Sequence, residues 1–311
     1  MRRDEMLKLT RGIALAVVTP LTKDGAVDDR GIDRLVNFLL EKGMSRENGF
    51  LIPLSTTGNF LSLSMDERKQ VIRSYIKSTA DRMPIVVGCN HIRLEDTIEL
   101  AKFSQDLGAI GILVGPPFYW KPTDAQIIDH YERICRSIEI GVLIYNNHWA
   151  SQVDISVEAL SEIVKNPNVI GLKESTFSIE KLIRVTRLLS NHINVLSGLG
   201  EAFEPLYTQL GCTGFTSTLG NIVPELSVKL HADLLAKRFE EADRLARRLA
   251  PLTRFMDGLV GGQYISGLMY VLDRLGICEP TVRPPLLPLQ QGEIKTLERI
   301  MKELGSWMDE A

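Results

Sequence analysis

The chain has 311 residues, 44% hydrophobic and 24% charged, with a formal net charge of −3. This composition supports a large buried core and gives no electrostatic footprint for nucleic acid or an anionic membrane. No stretch nears the ~18 apolar residues of a membrane span, the start lacks a signal-peptide core, and the four cysteines and five histidines show no CxxC or HxxxH spacing, so a cytoplasmic globular protein without disulfides or a metal site is expected.

The first apolar run covers residues 13–18 and ends at Thr19 and Pro20. Ile32, Leu35, Val36, Leu39 and Leu40 then recur at helical spacing until Gly43. A second run, residues 49–54, leads into Ser55-Thr56-Thr57-Gly58-Asn59, after which Ser64 and Glu67 form a capping-box pattern. Residues 84–88 are a third run, followed by Asn90, His91 and a helix through Ile98 and Leu107. The fourth, residues 109–114, precedes the proline-bracketed aromatic segment 115–122 and a helix from about Thr123. Residues 141–145 form the fifth and residues 169–173 the sixth, separated by a loop and a helix from Ser156. Residues 193–197 and 212–218 complete the set, with a helix to Gly211 between them. Beyond Pro224 the pattern is helical over residues 224–236, 239–258, 263–275 and 290–309, with a proline-rich extended connection at 280–288.

Eight short apolar strands alternating with amphipathic helices specify an α/β chain folded as a closed parallel (β/α)8 TIM barrel. An open doubly wound sheet would carry a GxGxxG fingerprint after its first strand, which is absent. We expect the barrel over residues 1–222 and a C-terminal helical extension over 223–311.

Barrel chemistry sits at the C-terminal ends of the strands. The candidates there are Thr19, Thr56, Thr57, Asn90, Tyr119, Tyr145, Lys173, Gly198 and Ser217. Lys173 is the only lysine among them. An ammonium is costly to bury, and a neutral amine is a good nucleophile toward a ketone. The segment alone also fits a lysine leaving the strand with its head in water. Tyr145 closes the fifth strand as a hydroxyl neighbour, or as a core aromatic. Thr56-Thr57-Gly58 is suited to an anion nest, and equally to ordinary loop punctuation. Tyr119 fits either a site role or an interface anchor.

STTGN (55–59), GPPFYWKP (115–122), YNN (145–147) and GLKES (171–175) resemble, in order and spacing, the dihydrodipicolinate synthase/N-acetylneuraminate lyase family. The likeness extends over essentially the whole chain. It implies a class I, pyruvate-type lyase whose covalent imine with lysine replaces any cofactor. By position, Lys173 would form the imine with a 2-oxo acid and Tyr145 would shuttle protons. Thr56 and Thr57 would bind the substrate carboxylate through backbone N–H groups. Thr57 and Tyr119 would extend the hydroxyl chain of Tyr145, with Tyr119 lent by a neighbouring subunit in some members. Thr216 and Ser217 would form the wall facing the imine. The resemblance also implies a homotetramer, a dimer of dimers, as is usual among relatives.

Three departures bear on the activity. Asn59 replaces the common glutamate of GTTGE, a change expected to be structural. Ala150 stands where dihydrodipicolinate synthases place an arginine for the aldehyde's carboxylate, which argues against that reaction. His148 and Trp149 would occupy the specificity loop, where a flat apolar face and a titratable ring suit an uncharged, aromatic or polyol portion of the substrate, and equally fit a loop packed on the barrel rim with His148 simply hydrogen-bonded. His91 is expected to be structural. The expected activity is aldol cleavage or condensation involving pyruvate, or dehydration of a 2-keto-3-deoxy sugar acid. A non-catalytic binding barrel is the competing class, but it would need no hidden nucleophile.

Overall fold

The computed structural model describes residues 1–305. Eight strands form one parallel sheet: β1 (Gly12–Ala16), β2 (Gly49–Ile52), β3 (Val86–Gly88), β4 (Gly111–Val114), β5 (Gly141–Asn146), β6 (Val169–Glu174), β7 (Asn194–Ser197) and β8 (Gly214–Ser217). Each pairs with its sequence neighbours except across β2 and β3, and β8 returns to pair with β1. The circle is completed between β2 and β3 by a parallel bridge from Leu51 to Ile85 and by Gly88 N–H donating to the Pro53 carbonyl, 2.9 Å. The architecture is the expected (β/α)8 barrel. At the β1–β8 seam, Gly214 lies so close to the Gly12 backbone that a Cβ would collide with it.

Alternate strand residues face inward. Phe50, Ile52, Val86, Leu113, Leu143 and Leu196 fill the lower barrel. The opposite faces of the strands bury Val17, Leu51, Ile112, Ile144 and Leu172 against the surrounding helices. Helix starts are defined by side chains: Ser64 accepts from Glu67 N–H and the Glu67 carboxylate accepts from Ser64 N–H, the capping box anticipated at helix Met65–Thr79. A second box joins Thr123 and Gln126.

The C-terminal helices are Pro224–Leu235, Phe239–Gly258, Tyr264–Arg274 and Gln291–Leu304, close to the expected bounds. Residues 306–309 of the last expected helix lie outside the described residues. These helices share the outer apolar layer of the barrel through Leu230, Leu249, Leu268 and Leu297. Arg283, in the proline-rich connection, ties it back by donating to the Gly25 and Ser62 carbonyls and pairing with Glu67. Two short helices were not expected. Arg3–Leu9 is anchored by Arg3, whose Nε and Nη2 donate to the Pro167 and His192 carbonyls. His148–Ser151 lies in the loop after β5. Among the described residues no helix is long and apolar enough to cross a membrane.

Candidate active site

Strand pairing dictates the centre of the site. Tyr145 on β5 and Lys173 on β6 are direct Cα partners. Both point inward at the C-terminal end of the barrel, and the Lys173 Nζ lies 4.4 Å from the centroid of the Tyr145 ring. Lys173 is 5% exposed and forms no ion pair among the described residues. Its strand neighbour Glu174 points outward, as alternation requires, and meets Asn146 of β5 instead: Asn146 Nδ2 donates to Glu174 Oε2 at 2.8 Å. Burial pushes Glu174 up to about 7, offset in part by Lys181 and Asn146. The same Asn146 amide donates to Asp154 and accepts from Ile155 N–H, fixing both ends of the loop after β5.

The Tyr145 hydroxyl has two partners. It lies 3.1 Å from Thr56 Oγ1, and Asn147 Nδ2 donates to it at 2.7 Å. Within one subunit Thr57, expected to extend this hydroxyl chain, forms no hydrogen bond with Tyr145. Thr57 Oγ1 bonds instead to the Tyr264 hydroxyl, 3.2 Å away, because the turn aims successive side chains in different directions. The backbone N–H groups of Thr56 and Thr57 donate to no other described residue, which leaves them free for an anion. Asn59 takes a left-handed conformation (φ 47°) at the end of this turn, a state that asparagine tolerates well.

On β8, Thr216 and Ser217 separate by strand alternation. Thr216 faces inward with a buried Oγ1 that has no partner. Ser217 does not line the interior, contrary to expectation. Its hydroxyl donates to Glu201 Oε1 at 2.5 Å and accepts from Gly220 N–H, in the layer between barrel and helices. Tyr119 also departs from a chain within one subunit. It is 83% exposed, packs edge-on against Trp120 and takes φ 89°, which a bulky side chain rarely adopts.

His148 and Trp149 stand on the short helix after β5, their ring centroids 4.7 Å apart. Asn147 caps this helix, its Oδ1 accepting from Trp149 and Ala150 N–H, while its Nδ2 reaches Tyr145. One asparagine thus couples the loop after β5 to the Tyr145 hydroxyl. The YNN motif contained this residue without revealing its role, although asparagine before a helical turn is a recognisable cap signal. Tyr264 was also missed, and no local pattern marks it, since its contact with Thr57 spans 207 residues. His91 receives Arg93 N–H and pairs with Asp96 at the start of a helix, a structural role. Among the described residues no group of three or more His, Cys, Asp or Glu side chains could hold a metal ion.

Comparison with known proteins agrees with this geometry. The model of the dihydrodipicolinate synthetase family matches residues 9–304. A 4-hydroxy-tetrahydrodipicolinate synthase of Brucella suis is 31% identical over 298 residues, covering 96% of this chain and 99% of that protein. The chloride-inhibited dihydrodipicolinate synthase of Acinetobacter baumannii, solved with pyruvate, superposes with a TM-score of 0.88 at 28% identity, covering 96% of this chain and 99% of that one. A prophage protein of E. coli from the same family, also solved with pyruvate, gives a TM-score of 0.89 at 26% identity over 96% of this chain and 99% of its own. The chain therefore belongs to the dihydrodipicolinate synthetase family and is a lyase of the class I aldolase type.

Proposed function

We propose that Lys173 attacks the C2 carbonyl of a 2-oxo acid, pyruvate in the simplest case, and forms an imine without any cofactor. The observation that carries this reading is the inward amine of Lys173, buried opposite the Tyr145 ring with no acid to neutralise it. The free N–H groups of Thr56 and Thr57 hold the substrate carboxylate. The unpartnered Thr216 Oγ1 offers a further hydrogen bond on the facing wall. Tyr145, held by Thr56 and Asn147, moves protons to and from the carbinolamine as water leaves. The resulting iminium draws electrons from C3, so a carbon–carbon bond there breaks or forms through an enamine. The two relatives solved with pyruvate support this choice of nucleophile-bound half.

The names of the curated relatives point to condensation with an aldehyde that bears a carboxylate. The loop of this chain does not suit that aldehyde. Ala150 is exposed and apolar, and the short helix that carries it offers no arginine or lysine. We therefore assign the enzyme to pyruvate-dependent aldol chemistry, or dehydration of a keto-deoxy acid, other than dihydrodipicolinate synthesis. The exposed Tyr119 and Trp120 favour self-association, and the family resemblance implies that it takes the form of a homotetramer, a dimer of dimers, in which Tyr119 completes the site of a neighbour. Four unpaired, buried cysteines fit a reducing cytoplasm. The test is a coupled assay of pyruvate release from 4-hydroxy-2-oxo acids and keto-deoxy acids, with succinic semialdehyde-type acceptors run in the condensation direction. Turnover by the wild type and none by Lys173→Ala supports the reading; equal turnover by both overturns it.

A further inference from the structure

We propose that the half of the substrate distal to the 2-oxo acid is an uncharged aromatic group, seated in a cleft between Trp149, Phe177 and the C-terminal helices. The proposal rests on the imine chemistry above and names the substrate class of that site.

The cleft has a volume of about 490 Å³, within the range of small-molecule sites, and opens above β7 and β8. Trp149, Phe177 and Phe203 form one wall. Their rings meet edge to face, with centroids 5.6 Å apart for the first pair and 5.5 Å for the second. Trp149 is 59% and Phe177 50% exposed, so the wall presents open aromatic surface, and covering it with an apolar group is favourable. Met256 and Leu259 face it from helix Phe239–Gly258 and the residue after it. The cleft adjoins the reactive centre at two residues: Tyr264 lines it and bonds to Thr57, and Trp149 follows Asn147, whose amide donates to the Tyr145 hydroxyl.

Charge narrows the ligand further. No lysine, arginine or histidine lines the cleft. Its ionisable groups are acids. Glu201 is turned to Ser217 and Ser227, and burial holds its carboxyl above the usual range. Asp257 has no ion pair among the described residues and stands at the rim, where it disfavours a carboxylated ligand. A polyol would require a set of paired donors and acceptors, and beyond Tyr264 the accessible polar side chains are Thr218, Thr253 and Asp257. An aryl aldehyde satisfies both constraints. The enamine C3 of pyruvate bonds to its carbonyl carbon, the carbonyl oxygen takes a proton, and water hydrolyses the iminium. This releases the Lys173 amine and a 4-aryl-4-hydroxy-2-oxo acid, and cleavage is the reverse.

The experiment compares kcat/KM for condensation of pyruvate with benzaldehyde, glyceraldehyde and succinic semialdehyde. The wild type should prefer benzaldehyde by about tenfold or more. Trp149→Ala and Phe177→Ala should reduce that preference by about tenfold, and Asp257→Asn should raise the value for succinic semialdehyde. A wild-type preference for glyceraldehyde or succinic semialdehyde overturns the proposal, even if a variant fails to fold. So does turnover of none of the three when borohydride still traps pyruvate on the enzyme. Absence of any trapped pyruvate is the distinct result that would remove the imine reading itself.

Discussion

Tyr145 and Lys173 stand side by side on β5 and β6, with the amine 4.4 Å from the centre of the phenol ring. Pairing by strand register makes this placement rigid, since a one-residue slip of either strand would turn its side chain out of the barrel. Under the proposed imine chemistry, the tyrosine hydroxyl, fixed by Thr56 and Asn147, carries protons to and from the new C–N bond. Tyr145→Phe should lower kcat by ~10²–10⁴. A change confined to KM, measured by steady-state kinetics, would contradict a proton role.

The two threonines of the STTGN turn should separate in the same assay. Thr56→Val removes a partner of the Tyr145 hydroxyl and should lower kcat. Thr57→Val removes the link to Tyr264, a neutral hydrogen bond of about 1 kcal/mol, and should act mainly through stability and KM. Equal losses of kcat in both variants would remove the distinction.

Tyr119 provides a test of assembly. Its exposed ring has no catalytic partner within one subunit. Tyr119→Phe and Lys173→Ala should each be impaired alone. Hybrids made by mixing the two unfolded variants and refolding them together should recover activity, because some sites then carry both native residues. Failure of recovery in hybrids whose mixed composition is verified would assign Tyr119 to its own subunit's surface.

Glu174 gives a pH dependence with a defined sign. Burial raises its folded-state value from 4.5 to about 7, despite Lys181 and Asn146. Between these values the folded chain retains a proton that the unfolded chain has lost, so this group lowers stability progressively as pH rises from 4.5 to 7. Above 7 the penalty is complete. Chemical denaturation of Glu174→Gln should show a stability gain over wild type that grows across this window by up to about 3 kcal/mol. A gain that shrinks with rising pH would contradict the assignment.

The barrel was legible because each strand is a short apolar run and each helix keeps its own period, both local properties. Lys173 and Tyr145 were legible because a polar residue that ends such a run must face either the interior or the helices. What remained hidden was direction at the ends of strands and turns. Thr216 and Ser217 are adjacent in sequence yet face opposite sides of β8, and only the register with β1 decides which. The exchange of roles between Thr56 and Thr57 depends on Tyr264, which arrives from the C-terminal helices. Asn147 lies in the YNN motif, but its double role depends on the short helix after β5, which four residues with no apolar period do not announce.

The most direct measurement is intact-mass spectrometry after borohydride reduction in the presence of pyruvate, on wild type and Lys173→Ala, followed by peptide mapping. The account predicts one stable pyruvyl adduct per wild-type subunit, located at Lys173, and none on the variant. An adduct that persists in Lys173→Ala, or maps to another lysine, would contradict it.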